Sequence, residues 1–307
     1  MTFWQVTVAT SHEISDGLTN FLWEQGALGV VEEETPPERP RVRAFFPDTT
    51  SSTALLQAVS ACRASLRTMG FSVCASEPEI TAVVDDEWAT AWQQAFPPLE
   101  IGERLLIVPP WEARPDGTTG ARVQVVIEPG RAFGTGHHGS TGGCLRLLEE
   151  ALRSLATSPP RVLDIGTGSG ILAIAAMKLG ARAVLGLDVD PDAIAAAQLN
   201  AERNGCADRI TLEIDGPERL SDAEPFRLVL ANLLTHAHLA LLPHYGRLTA
   251  AEGSLVLGGI LSDEDQRVIA ALEAAGFALS TRLVIDGWAS LHFRLPSGAV
   301  GGQARAT

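Results

Sequence analysis

Two joined α/β parts are predicted by the order of elements along the chain. From Val162 to Ala275, strand-length apolar runs alternate with helical patterns, which predicts a Rossmann-like, doubly wound parallel sheet. The first 76 residues read β-α-β-β-α-β, the order of a small ferredoxin-like α+β sandwich. Composition permits both. Of the 307 residues, 46% are hydrophobic and 20% charged, which supplies full cores and excludes a disordered chain.

Trp4, Val6 and Val8 alternate with Phe3, Gln5 and Thr7, giving a first strand. Ile14, Leu18, Phe21 and Leu22 keep helical spacing over 15–25, and Gly26 closes that helix. Strands follow at 27–33 and 42–46 around a Pro-rich turn at 35–40. A helix at 52–69 ends at Gly70, and a fourth strand is expected at 71–76. Residues 1–77 hold no catalytic-looking cluster and read as a recognition domain. Residues 78–98 read as a linker helix, with Asp85, Asp86 and Glu87 at its positive end and Trp88, Trp92 and Phe96 every fourth residue. A partner-binding helix is the alternative reading of that stripe.

Residues 99–295 read as a second domain. Strands are expected at 105–108 and 123–127, and a helix from 140 to 155. The alternation then runs strand 162–165, helix 171–179, strand 183–188, helix 192–204, strands 210–214 and 228–231, helix 237–250, strand 255–260 and helix 263–275. Runs 278–285 and 290–295 are too close for a crossover helix and are expected to pair antiparallel at the sheet edge. The Gly- and Ala-rich tail, 296–307, is expected to be disordered.

Charge and cysteine usage narrow the function. With 23 Lys and Arg against 37 Asp and Glu, the net charge is −14. That lacks the positive field of a nucleic-acid binder and suits a basic partner. Lys178 is the only lysine, so no other Schiff-base lysine exists. Cys62, Cys74, Cys144 and Cys206 are scattered, which argues against a zinc site or disulfide framework and for free buried thiols. The N-terminus is not of secretory type and no long apolar run occurs, so a soluble cytoplasmic protein is expected.

Four stretches carry chemistry. Asp164-Ile-Gly166-Thr-Gly168-Ser-Gly170 joins a strand to a helix start, where glycines let a ligand approach the backbone and the helix adds donors. Ile171 stands where the dinucleotide fingerprint has its third glycine. A carboxylate at Asp164 repels a pyrophosphate and suits a cationic ligand, which favours S-adenosylmethionine over NAD. Asp188, ending the next strand, is placed to accept from both hydroxyls of a ribose, while Asp190 before Pro191 suits helix capping. Asn232 ends the fourth strand of the sheet, at its carboxyl edge, with an amide donor and a carbonyl acceptor. Residues 128–141 form a polar glycine-rich loop containing Phe133, Gly134, Thr135, Gly136, Ser140 and Thr141. The histidines His137, His138, His236 and His238 invite a metal reading, but polar loop histidines are commoner and no metal is expected.

Together these stretches resemble the PrmA-type methyltransferases that modify large-subunit ribosomal protein eleven. The resemblance rests on the 128–141 loop, the glycine turn, Asp188 and Asn232-Leu233. Asp86-Glu-Trp88, Trp92, Phe96 and Gly102-Glu-Arg-Leu extend it, so that it spans about 80–295. Gly139-Ser140 and His236-Ala-His238 depart from the family pattern. The resemblance implies a class I S-adenosylmethionine-dependent fold, with cofactor contacts at Thr141, Gly166, Asp188 and Asn232. Phe133 to Gly136 would line the cofactor, with Asp164 and Gly168 in its turn and Asn232 as catalytic residue. It further implies methylation of lysine side chains and the α-amino group of protein eleven, free rather than in the assembled ribosome. The enzyme is expected to be a cytoplasmic monomer, without direct contact to nucleic acid or membrane. The alternatives are a lysine methyltransferase for another protein and a non-catalytic ribosome-assembly factor; Asp164 and Ile171 disfavour an NAD-dependent dehydrogenase.

Overall fold

The computed structural model describes residues 2–27, 29–33, 40–84, 96–114, 118–119, 122–129, 138–155, 158–221 and 223–297. The chain forms two compact units, 1–97 with 129–131, and 98–128 with 132–307.

In the first unit, strands β1 (Thr2–Ala9), β2 (Gly29–Glu33), β3 (Arg41–Pro47) and β4 (Glu79–Val84) make one antiparallel sheet in the order β2-β3-β1-β4. Helices α1 (His12–Glu24) and α2 (Ser52–Thr68) bury Leu18, Leu22, Leu55 and Val59 with Val6, Val8, Val42 and Ala44 of the sheet. This is the ferredoxin-like order, with one correction. The fourth strand is Glu79–Val84 rather than 71–76, and it pairs with β1 from Thr2↔Val84 to Thr7↔Glu79. Arg63 of α2 explains the difference. Its guanidinium, 3% exposed, donates to the carbonyls of Cys74 at 2.7 Å and Ser76 at 2.5 Å and faces Glu77. Carbonyls captured this way leave the ladder to the next apolar alternation. The linker helix expected from residue 78 therefore begins as a strand. Trp88 and Trp92 lie outside the described residues, as does most of the turn expected at 35–40.

The second unit opens with a small sheet of β5 (Leu99–Ile101), β6 (Leu105–Val108), β7 (Thr118–Thr119) and β8 (Arg122–Val126), in the order β5-β6-β8-β7. The two- and three-residue strands are too short for a period to be legible. The large sheet contains β9 (Arg161–Ile165), β10 (Ala183–Asp188), β11 (Ile210–Ile214), β12 (Phe226–Asn232), β13 (Thr249–Leu261), β14 (Ala278–Ile285) and β15 (Trp288–Arg294). Its order is β11-β10-β9-β12-β13-β15-β14. Six strands share one direction, five of them as parallel neighbours, and β15 inserts antiparallel between β13 and β14. This is the sheet of class I S-adenosylmethionine-dependent methyltransferases, with the antiparallel pair at the expected edge.

Helices α3 (Gly139–Ser154), α4 (Ile171–Lys178) and α5 (Pro191–Arg203) accompany one face, and α6 (Thr235–Leu248) and α7 (Asp265–Ala274) the other. The period of two in β12 serves both faces: Leu228 and Leu230 enter one core, Val229 and Ala231 the other. Residues 171–177 of α4 are all buried, because the helix shares its core with the large sheet and with Ile107, Val125 and Ile127 of the small-sheet region. None of the four cysteines forms a disulfide; Cys144 and Cys206 are buried as expected, whereas Cys62 and Cys74 are half-buried.

One carboxylate is folded into this packing. Glu149 of α3, 2% exposed, accepts from the amides of Glu103 at 3.1 Å and Arg104 at 3.3 Å and pairs with Arg153 at 3.1 Å. It fastens α3 to the turn between β5 and β6. Because its loss strands two amides, Glu149→Ala should lower unfolding free energy by about 2–4 kcal/mol in urea titration. The exposed neighbour substitution Glu150→Ala should stay within about 0.5 kcal/mol of wild type. Equal effects of the two would refute the fastening role.

Candidate active site

The carboxyl edge of β9, β10 and β12 collects the residues singled out above. After β9 the chain turns sharply, and Gly166, Gly168 and Gly170 have φ of 70°, 55° and 80°, a region open to glycine at little cost. Leu187 at the end of β10 accepts the amides of both Gly166 and Thr167 through its carbonyl. Asp188 follows and accepts from Gly168 N–H through Oδ2 at 2.9 Å and from Asp190 N–H through Oδ1 at 3.1 Å. Asp190 caps α5, its Oδ1 accepting from Asp192 N–H at 2.9 Å with Pro191 at the first helical position. The division of labour between the two aspartates is local: one faces the turn, the other its own helix.

Asp164 is wholly buried and its Oδ2 accepts from the Thr167 hydroxyl at 2.7 Å. Burial pushes its carboxyl up to about 7, against the lowering effect of hydrogen bonds from Thr167 and the Ala173 backbone, and the nearby Asp188 charge adds to the rise.

Asn232 stands one strand away from the turn. Its Nδ2 donates to Thr141 Oγ1 at 3.3 Å, while its Oδ1 is buried without a hydrogen-bond partner. The next residue, Leu233, packs so close to Gly166 that a Cβ there would meet its side chain at 2.5 Å. Gly258, paired in register with Asn232 on β13, would carry a Cβ 2.9 Å from Asn232 Oδ1. The Asn232 segment thus sits in a slot that two glycines keep open. Thr141 and Ser140 lie in the first turn of α3, both buried; Ser140 Oγ meets His138 Nδ1 at 2.8 Å, and the His138 ring stands edge-on to Trp288 with centroids 4.6 Å apart.

Thr141, Gly166, Gly168, Asp164, Asp188 and Asn232 therefore gather at one end of the sheet. Phe133, Gly134, Thr135 and Gly136 lie outside the described residues, as does His137. His238 is committed elsewhere. It is fully buried, with Nδ1 2.8 Å from the Tyr245 hydroxyl and Nε2 2.8 Å from the Gly258 carbonyl. Burial pushes it down to about 4, so it is neutral. Among the described residues no group of three His, Cys, Asp or Glu is arranged to hold a metal ion.

The profile of the ribosomal protein L11 methyltransferase (PrmA) family matches residues 2–296. The chain belongs to that family. A curated member from Trichlorobacter lovleyi is 34% identical over 95% of this chain and 98% of its own length. One from Syntrophotalea carbinolica is 35% identical over 95% and 98%. Among solved structures, the ribosomal protein L11 methylase of Lactobacillus delbrueckii subsp. bulgaricus is 31% identical and superposes with a TM-score of 0.57 over 65% of this chain and 98% of that one.

For a methyltransferase of this family, the geometry adds residues that motif reading passed over. Val189 and Ile214, 76% and 57% exposed, present apolar side chains beside Asp188 at the ends of β10 and β11. An apolar residue directly after the ribose-type acid is a signal the sequence does contain. Asn200 and Asn204 on α5 are buried, and polar residues four apart on the inward face of a helix are the clue. Tyr245, the only tyrosine in the chain, supports His238.

The Asp164 environment has a pH consequence. Its folded-state value, raised to about 7, lies above an unfolded value of about 3.9, so the native state holds this proton more tightly. The associated stability is full below about pH 4 and is lost as pH rises through about 7. Unfolding free energies of Asp164→Asn and wild type should diverge in favour of the variant between these limits, by up to about 4 kcal/mol, and run parallel above pH 8. A constant difference from pH 4 to 8 would contradict the burial argument.

Proposed function

We propose that this enzyme transfers methyl groups from S-adenosylmethionine to lysine side-chain and N-terminal amino groups of the large-subunit ribosomal protein L11. The observation that carries the site assignment is the buried, unpartnered Oδ1 of Asn232 beside Thr141 and the glycine turn. A buried acceptor without a donor costs free energy unless a ligand supplies one.

The residues fit the cofactor. Gly166 and Gly168 let its methionine part approach the backbone, and Asp188 offers free lone pairs to the ribose hydroxyls. Val189 and Ile214 offer apolar surface to the adenine, and Thr141 and Asn232 close the other side. Asp164 and Thr167 hold the turn rigid. When bound, the cofactor supplies an electrophilic methyl group on a sulfonium, so the protein's task is alignment and desolvation. Asn232 Oδ1 accepts an N–H of the incoming amine and directs its lone pair. The amine must be neutral, and lysine starts near pKa 10.4; burial beside positive charge lowers that value. His238 is neutral with both ring nitrogens engaged, and burial pushes the Cys144 thiol up to about 12. Neither is suited to act as base, which leaves proton removal to solvent.

The ferredoxin-like unit has no part in this constellation and is assigned to recognising L11, as the free protein. The acidic balance of the chain favours a basic partner. No helix among the described residues is long and apolar enough to cross a membrane. A ribosomal substrate supports a cytoplasmic enzyme, and we propose that it acts as a monomer without direct contact to nucleic acid.

Incubation of free L11 with enzyme and cofactor should add mass in steps of ~14 Da by intact mass spectrometry. Asn232→Ala should lower turnover by about 100-fold, the scale of a lost positioning contact. Full turnover by Asn232→Ala would remove it from the mechanism. No mass step, with cofactor binding intact, would redirect the search to other basic proteins or to a non-catalytic assembly role.

A further inference from the structure

The glycine turn is gripped from a third side by a residue that no motif identifies. Asn200 of α5, 1% exposed, donates through Nδ2 to the Ser169 carbonyl at 2.9 Å and accepts through Oδ1 from the Glu128 amide at 3.1 Å. One turn on, Asn204 donates through Nδ2 to the Val126 carbonyl at 2.7 Å and to the Asn200 carbonyl at 2.8 Å, and accepts from the Val126 amide through Oδ1 at 2.9 Å. Arg203 between them pairs with Glu128 at 2.7 Å. One face of α5 therefore clamps residues 126–128, but only Asn200 also reaches the turn. The approach of helix and turn is tight: a Cβ on Gly170 would meet Ala197 at 3.1 Å, and Ala197 lies one residue short of a helical turn before Asn200.

We propose that Asn200 is a positioning residue for the cofactor site, setting the Ser169 peptide of the glycine turn against the end of β8. This rests on the assignment of the cofactor to that turn. Asn200 touches neither cofactor nor acceptor; it acts through Ser169. A buried amide with both ends satisfied at different chain segments fixes their separation, because moving either strands a donor or an acceptor. Asp188 holds the Gly168 amide and Asp164 holds the Thr167 hydroxyl, and Asn200 adds a restraint on the Ser169 carbonyl.

Asn204 is a built-in control, since its side chain bonds the same strand end and the Asn200 backbone but leaves the bond from the Asn200 side chain to Ser169 in place. Affinity for S-adenosylhomocysteine by calorimetry and melting temperature would be measured for the full-length wild type, Asn200→Ala and Asn204→Ala. The expected result is a comparable fall in melting temperature for both variants, with affinity weakened tenfold or more in Asn200→Ala and less than threefold in Asn204→Ala. Equal losses of affinity, or an Asn200→Ala affinity within threefold of wild type, would overturn the proposal. If Asn200→Ala does not fold, Asn200→Asp keeps an acceptor for Glu128 and sets a carboxylate against the Ser169 carbonyl. Weakened affinity there supports the proposal and unchanged affinity overturns it. Absence of binding by the wild type itself would instead refute the cofactor assignment at this turn, and with it the proposal.

Discussion

The structure depends on holding a run of left-handed backbone still. Three glycines with positive φ let the chain reverse between β9 and α4, but glycine is also the residue that loses most freedom on folding. The turn persists because its groups are taken one by one. Leu187 accepts two amides, Asp188 accepts a third, and Asp164 accepts the Thr167 hydroxyl. These partners come from the turn's own strand and from β10 beside it, so the parallel register of β9 and β10 is what places them. A slip of one residue in that register would send Asp188 to the other side of the sheet.

The same logic governs the second half of the site. Asn232 follows from the β12–β13 register, where it stands opposite Gly258, and the Gly258 carbonyl accepts both Leu233 N–H at 3.1 Å and His238 Nε2–H at 2.8 Å. Gly259, at φ 74°, leaves room for the Leu233 carbonyl. The first turn of α6 is thereby tied to β13 through a neutral histidine, and Asn232 is presented from a fixed backbone. A histidine that looks like a metal ligand in sequence serves as a neutral hydrogen-bonding strut.

How much of this was legible follows from the kind of signal each feature leaves. The alternation of strands and helices after residue 160 leaves long periodic patterns, and its elements lie within two residues of where the pattern puts them, except that β13 begins at Thr249 rather than 255, taking up the end of the helix expected to run to 250. Asp164, Asp188 and Asn232 were found because each occupies a defined place at a strand end. The N-terminal fourth strand was misplaced because 71–76 has strand-like composition, and only the fold shows that Arg63 has taken its carbonyls. The partners of Glu149 and Asn200 stay hidden for a related reason: they are backbone groups 46 and 72 residues away, and backbone carries no residue identity, so the asparagine spacing on α5 marks a buried polar face without saying what it holds. Sequence reports a functional side chain when its type is unusual for its position. It is silent when an ordinary polar residue is made important by what the chain folds against it.

Asp188 raises the question of how one carboxylate could hold the turn and still receive the ribose proposed for it. An ionised carboxylate has about four acceptor directions, and the Gly168 and Asp190 amides take one on each oxygen. The remaining directions stay open at the partly exposed carboxyl edge. A ribose hydroxyl can therefore bind without displacing either amide, and the turn need not rearrange to admit it. The contrast with Asp164 is instructive. Asp164 is sealed from solvent with its carboxyl pushed up to about 7, so it supports the turn from within, while Asp188 stands partly exposed at the carboxyl edge. The two carboxylates oppose each other, since the Asp188 charge adds to the rise at Asp164, and burial leaves Asp164 to support the turn from within while Asp188 faces the carboxyl edge.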